Sequence, residues 1–247
     1  MNDTKDATLR PIDLRFTGRS MPPVSGIDLV HALNFISVAD AGKDFIYNHY
    51  TSSEIFYTLG NRPELESIVH RVASESDSEI ERVSNLANFI VETVPHAMFY
   101  MKNTSKLLSG KRSFTEEEII NSGFAWCNEQ ARVFCCLTQI AGIPSRLIFA
   151  GNSQRGYGHT VSEVLLSSGW MMVDQTVGYC FAKNDKPVRA VDVYGDQDCR
   201  KYFEPIYKTI VTECTKTVPE KAIDGMFTSE NPLNGYKGIG VHNHFVL

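Results

Sequence analysis

The stretch "CNEQARVFCCLTQIAGIPSRLIFAGN", residues 127–152, constrains the fold more than any other part of the chain. Residues from Cys127 onward read as a helix that has to stop at "AGIP". Gly142 can take a left-handed cap there, and Pro144 cannot continue a helix. The β-rich run "SRLIFAGN" follows at once, so the helix turns directly into a strand. After the glycine-rich loop "GNSQRGYGH", the runs "HTVSEVLL" and "WMMVDQT" read as two strands joined by "SSG", a hairpin signal. The middle of the chain is therefore helix, strand, loop, hairpin.

Upstream, the pattern is helical. Residues 26–50 carry apolar side chains at helical spacing, and "NRPELESIVHRVA" has Pro63 near a helix start. In "SDSEIERVSNLANFIVETV", Ser/Asp caps and early acids precede a stripe of Ile80, Val83, Leu86, Ala87, Ile90 and Val91. The first hundred residues are thus expected to be mostly helical. Glu116–Glu118 follow Thr115 and read as a favourable first helical turn. Beyond about Lys183 the pattern is too irregular to assign. These features predict an α+β protein. Its organisation is expected to be an N-terminal arm (1–25), a helical segment with the core (26–182) and a C-terminal extension packed on it (183–247).

Cys127 stands at the first turn of its helix. Unpaired N–H groups and the positive end of the helix dipole lower a thiol pKa there, and a thiol reacts as its thiolate. The same N–H groups can donate to an oxyanion formed during acyl transfer. A cysteine nucleophile also needs a base and a group to orient that base. His159 opens the first strand of the hairpin and Asp174 closes the second. A turn at Ser168–Gly169 would pair Trp170 with Ser167 and Asp174 with Glu163. His159 and Asp174 would then share a face but lie four residues apart, or ~13 Å at ~3.3 Å per residue. A bulge, an asymmetric loop or strong twist would be required to join them.

Other residues have plainer readings. Trp126 serves either the core or the acyl site beside the cysteine. His96, in "VPHAMFYM", reads as a packed histidine, Glu163 as a surface or paired strand acid, and His242 and His244 as tail residues rather than metal ligands. The six cysteines, at 127, 135, 136, 180, 199 and 214, form no C-x-x-C pair, so structural zinc is not expected and free thiols are. Cys135 and Cys136 read as small core hydrophobes. A net charge of −5 argues against nucleic acid or an anionic membrane as partner. No run of 18 or more apolar residues occurs, and the opening lacks a signal-peptide pattern, so a cytoplasmic location is expected.

Taken together, "FTEEEIINSGFAWCNEQARVFCCLTQIAGIPSRLIFAG", "GHTVSEVLL" and "GWMMVDQT" resemble the transglutaminase-like superfamily of papain-like cysteine enzymes. Its members begin a helix with a cysteine and end it in Gly-Ile-Pro-x-Arg. A histidine opening one strand and an aspartate after a tryptophan on the next complete a triad. The resemblance implies Cys127 as nucleophile, His159 as base and Asp174 as orienting acid. It further implies a papain-like fold and a peptide or small amide or ester substrate, with water or an amine as acceptor; because the sequence carries no calcium-site pattern or zinc ligand pairs, no cofactor is expected. The departures are Gly123 standing four residues before the cysteine, Thr160–Val161 after the histidine, and Gln175 where proline is usual. Catalytically dead members that present a groove to a protein partner supply the alternative reading.

Overall fold

The computed structural model describes residues 25–27, 36–37, 47, 55–97, 114–152, 157–215, 233 and 238–246. In chain order its elements are β1 (Ser25–Ile27), β2 (Ile36–Ser37), α1 (Pro63–Val72), α2 (Glu79–Thr93), α3 (Glu116–Ser122) and α4 (Cys127–Ile140). Then come β3 (Ser145–Asn152), β4 (Tyr157–Leu166), β5 (Gly169–Asp174), β6 (Tyr179–Cys180), β7 (Ala182–Lys183) and β8 (Lys186–Pro187). The chain continues with α5 (Ala190–Gly195), α6 (Gln197–Thr215) and β9 (Gly238–Val246). The protein is α+β, as the sequence implies.

Local chemistry explains the helices. Pro63 opens α1, with Glu64 and Glu66 in its first turn and His70 and Arg71 in its last, complementing the dipole. Ser78 caps α2 in a reciprocal box with Glu81: Glu81 N donates to Ser78 Oγ (3.3 Å) and Ser78 N to the Glu81 carboxylate (2.8 Å). Thr115 and Glu118 form the same box on α3. In α4, Gly142 adopts φ +79° directly after the helix, and β3 begins at Ser145 just past Pro144. The helix-to-strand junction is therefore the one that "AGIP" predicts.

The sheet runs β1-β9-β3-β4-β5-β6, with β2 also on β9, and every pairing is antiparallel. Alternation along the strands divides two cores. Val164, Leu166, Met171 and Val173 join Leu86, Ile90, Phe134 and Leu137 on the helical side. Ile148, Val161, Met172, Ile239 and Val241 join Phe181, Phe203, Tyr207 and Val211 on the other. The helix α4 is buried along most of its length, between β3, β4 and β9 on one side and α1, α2 and α3 on the other. Its polar residues are satisfied accordingly: Gln130 Nε2 donates to Val94 O (2.8 Å), and Arg132 to Glu116 (2.6 Å).

Several expectations change. Residues 25–27 and 36–37 are strands, not helix, because β9 gives them hydrogen-bond partners that helical spacing cannot reveal. The remaining residues of the 1–50 stretch, Tyr47 aside, and so nearly all of the expected N-terminal arm, lie outside the described residues. His242 and His244 stand within β9, opposite Leu147 and Ile27, rather than in a tail. Their side chains also lie outside the described residues. Glu116 is more than a first-turn acid, since its carboxylate is fully buried between Arg62 (2.9 Å) and Arg132 (2.6 Å). No described helix is long and apolar enough to cross a membrane.

Glu163 is the paired acid of its two readings. It is wholly buried directly opposite Arg146 on β3, whose Nη2 donates to it at 2.8 Å. Its other oxygen accepts from Ala190 N (2.7 Å) and the Tyr47 hydroxyl. The Arg146 guanidinium lies 4.1 Å from the centre of the Trp170 ring. Removing one half of a buried ion pair leaves an uncompensated charge, so Glu163→Gln is expected to cost about 3 kcal/mol in urea unfolding. A loss below about 1 kcal/mol would show that the pair does not hold the strands together.

Candidate active site

Cys127 is the first residue of α4 and Trp126 its extended N-cap. Glu129, one turn in, accepts the Trp126 N–H at 2.8 Å and so fixes the entry into the helix. Gln175 then ties that first turn to the sheet. Its side-chain amide donates to Cys127 O (3.3 Å) and Thr160 O (3.0 Å), and its carbonyl oxygen accepts from Ser162 Oγ (3.2 Å). The position where the family pattern has proline thus holds a buried amide that bridges helix and strand. A proline there has no side-chain donor.

The hairpin register brings the histidine and aspartate together. Leu166 pairs with Gly169, Glu163 with Met172 and Ser162 with Val173. The two-residue turn is Ser167–Ser168, not Ser168–Gly169, and Gly169 (φ +122°) already belongs to β5. Continuing this register puts Asp174 opposite Val161, two residues from His159 instead of four. That diagonal separation is ~7 Å, within reach of facing side chains and with no bulge required. His159 Nε2 donates to Asp174 Oδ2 at 2.8 Å. With Nε2 given to the carboxylate, Nδ1 is the ring nitrogen left for the thiol.

Asp174 has two further donors. Thr176 N donates to Oδ1 at 2.9 Å, and the Tyr207 hydroxyl of α6 donates to Oδ2. Burial pushes its carboxyl up, but the His159 charge and these hydrogen bonds outweigh burial and hold it below the usual carboxylate range. Burial pushes the His159 imidazole down, whereas Asp174 and Cys127 raise it further, to about 10. At Cys127, burial disfavours the thiolate, yet the nearby His159 and His96 imidazoles bring the thiol down to about 5. Buried thiols without such partners move the other way: Cys135 is pushed up to about 12 and Cys136 well above its ordinary value. The three groups thus shift in the directions that a thiolate–imidazolium pair on a carboxylate would require. Cys127 is the partly exposed member of the three, while His159 and Asp174 are buried.

Three contributors were not read from the sequence. His96 is packed, as expected, and against Trp126. Its ring meets the Trp126 indole edge-on at 5.6 Å. Tyr207 shows only as one of the apolar residues Phe203, Tyr207 and Val211 repeating every fourth position on α6, which signals a buried face but not a proton donor. Gln175 is visible only as a departure. A cavity of about 730 Å3 lies at the other end of α4, against Ile140, Ala141 and Val69. A 14-residue helix spans ~21 Å, so this cavity is separate from Cys127. Among the described residues no group of three or more His, Cys, Asp or Glu side chains is placed to hold a metal ion.

Residues 66–175 match the family model described as the transglutaminase-like superfamily. No curated protein matches the chain. Among solved structures, a candidate cysteine protease from Cytophaga hutchinsonii aligns at 13% identity and TM-score 0.38, covering 62% of this chain and 49% of that one. The periplasmic domain of TgpA from Pseudomonas aeruginosa aligns at 14% identity and TM-score 0.37, covering 49% and 45%. A structure described as a TGase aligns at 16% identity and TM-score 0.37, covering 66% and 43%. The chain thus spans less than half the length of each of these structures. Over residues 66–175, under half of the chain, the protein is similar to the transglutaminase-like superfamily.

Proposed function

We propose that the protein catalyses cysteine-dependent acyl transfer through a thioester, on a peptide-like amide or a small ester. The observation that carries this reading is one connected array. Asp174 accepts from His159 at 2.8 Å, and His159 bears on a thiol at a helix N-terminus whose pKa is held at about 5. The Cys127 thiolate attacks the carbonyl carbon, and the electron pair moves to the carbonyl oxygen, where N–H groups of the first turn of α4 can donate. Collapse of this intermediate expels the amine or alcohol, which takes the proton from His159. Water or an amine then gives its proton to His159 and attacks the thioester, returning the thiolate and releasing the acyl product. Trp126, at the helix cap beside the sulfur, lines the acyl side. A binding module without turnover has no need of a charged Cys–His–Asp array, and this favours the enzyme over the groove-presenting alternative.

Alkylation by iodoacetamide, mapped by mass spectrometry, tests the nucleophile. Cys127 is expected to label at a nearly constant rate from pH 6 to 8, whereas an ordinary thiol labels about tenfold faster with each unit. Labelling of Cys127 no faster than that of Cys180 or Cys214, whose thiols burial pushes up, would sink the proposal.

Tyr207→Phe removes one donor from a buried carboxylate and is expected to lower stability by about 1.5–3 kcal/mol at pH 7. Asp174 has a depressed folded pKa, so its contribution is present above the unfolded carboxyl value and lost as pH falls through the folded one. The deficit of the variant should therefore shrink in acid. A deficit that stays constant in denaturant melts from pH 7 to pH 3 would assign Tyr207 a packing role alone.

A further inference from the structure

We propose that Gln175 is a positioning residue that sets the spacing between the nucleophile helix and the strand that carries the base. The role rests on the Cys127–His159–Asp174 reading above and adds to it a tie from outside the triad.

The hairpin register puts the side chain in place. Pairing between β4 and β5 ends at Ser162–Val173, and continuing it would set Gln175 opposite Thr160. The chain instead enters a turn after Asp174, with Val177 N donating to Asp174 O (3.3 Å), so the ladder stops short of these two residues. The Gln175 side-chain amide supplies a bond there, donating to Thr160 O at 3.0 Å. Its second N–H donates to Cys127 O at 3.3 Å. The carbonyl oxygens of Cys127 and of the residue after His159 thus share one nitrogen, and they can stand no further apart than those two lengths together. Ser162 Oγ donates to the amide oxygen (3.2 Å) and itself accepts from Cys135 Sγ, two turns along α4, at 3.8 Å. This fixes the amide orientation, since the reverse would aim its oxygen at two carbonyl oxygens.

Gln175 is wholly buried, and its bond to Cys127 O is not one that helix formation leaves wanting. First-turn carbonyls of an α-helix accept from N–H groups four residues on, and only the last four lack such partners. The amide therefore adds a lateral tie to a carbonyl that the helix already serves. The next residue fastens the same helix one turn further in. Thr176 Oγ1 donates to Gln130 Oε1 (2.9 Å), while Thr176 N donates to Asp174 Oδ1 (2.9 Å). The turn after the orienting acid thus grips the nucleophile helix at two points, and through Gln175 it reaches the strand of the base as well. Misplacement by ~1 Å at a reacting centre can cost about a hundredfold in rate, which is the scale on which such a tie acts.

The test is the pH profile of Cys127 alkylation by iodoacetamide in the full chain, measured beside urea unfolding. Gln175→Met keeps the length and loses both donors. Gln175→Asn keeps the donors but is one methylene shorter. Neither changes a charge. The titratable groups around this turn are His159 from β4, Asp174 from β5, Tyr207 from α6, Glu129 and Cys135 from α4, and His96 beside Trp126. Gln175→Met is expected to raise the labelling midpoint from about 5 by about one unit or more, which cuts the rate at pH 5 about fivefold. Gln175→Asn should shift it in the same direction. Thr138→Val is the control, because it removes a buried bond to Ser145 Oγ (2.8 Å) near the other end of α4. It should lower the urea midpoint and leave the labelling midpoint where it is. An unmoved labelling midpoint in Gln175→Met would overturn the proposal, as would an equal shift in Thr138→Val. If Gln175→Met does not unfold cooperatively, Gln175→Asn decides in its place. His159→Ala separates this outcome from failure of the triad. If it raises the midpoint while the Gln175 variants do not, only the role of Gln175 falls, and if none does, the triad reading falls with it.

Discussion

A fully buried carboxylate, Asp174, sets the electrostatics of the site. Removing such a charge from water costs several kcal/mol unless donors replace the solvent, and three do: His159 Nε2, Thr176 N and the Tyr207 hydroxyl. Of these only the imidazole can acquire a full charge, so the carboxylate stabilises the imidazolium. The imidazolium in turn stabilises the thiolate. Each step compensates the burial of the next group. The proposed reactivity of the Cys127 sulfur would therefore follow from where an aspartate is buried, with donors at the helix N-terminus around it.

The parts of the fold that could be read from the sequence are those whose signals are local. The Cys127 helix, its stop at Gly142 and Pro144, the strand after it and the hairpin all follow from capping, proline geometry and alternation within a few residues. So do the Ser78 and Thr115 capping boxes. The hairpin register depends on a single turn assignment. "SSG" allows two placements of a two-residue loop, and moving the loop one residue back shifts every pairing by two. That shift separates a gap of ~13 Å from a diagonal contact.

What could not be read depends on partners far away in the chain. Ser25–Ile27 and Ile36–Ser37 are strands because β9, some two hundred residues later, runs beside them. Tyr207 reaches Asp174 across 33 residues, and Gln175 reaches Cys127 across 48. Nothing in the periodicity of α6 distinguishes a tyrosine that fills space from one that gives a proton to a carboxylate. Burial of His96 is legible in its apolar surroundings, but its contact with Trp126, thirty residues on, is not.

These long-range partners also bear on what the family-like segment contains. Residues 66–175 hold Cys127, His159 and Asp174, but the Tyr207 hydroxyl and Thr176 N that help to solvate Asp174 lie beyond them. Strand β4 repeats the situation four residues from His159 on the same face. There Glu163 is neutralised by Arg146 from within the segment and by Tyr47 and Ala190 N from outside it. Val161, Ile148 and Met172 fill the space on that face with apolar side chains. Two buried carboxylates on one strand face thus each draw part of their hydrogen bonding from residues beyond 175. In addition, β9 occupies an interior position in the sheet, between β1 and β3. Cutting the chain at the ends of the matched segment would strip donors from both carboxylates and a strand from beside β3. The Cys127–His159–Asp174 array is thereby coupled to parts of the chain outside the matched segment.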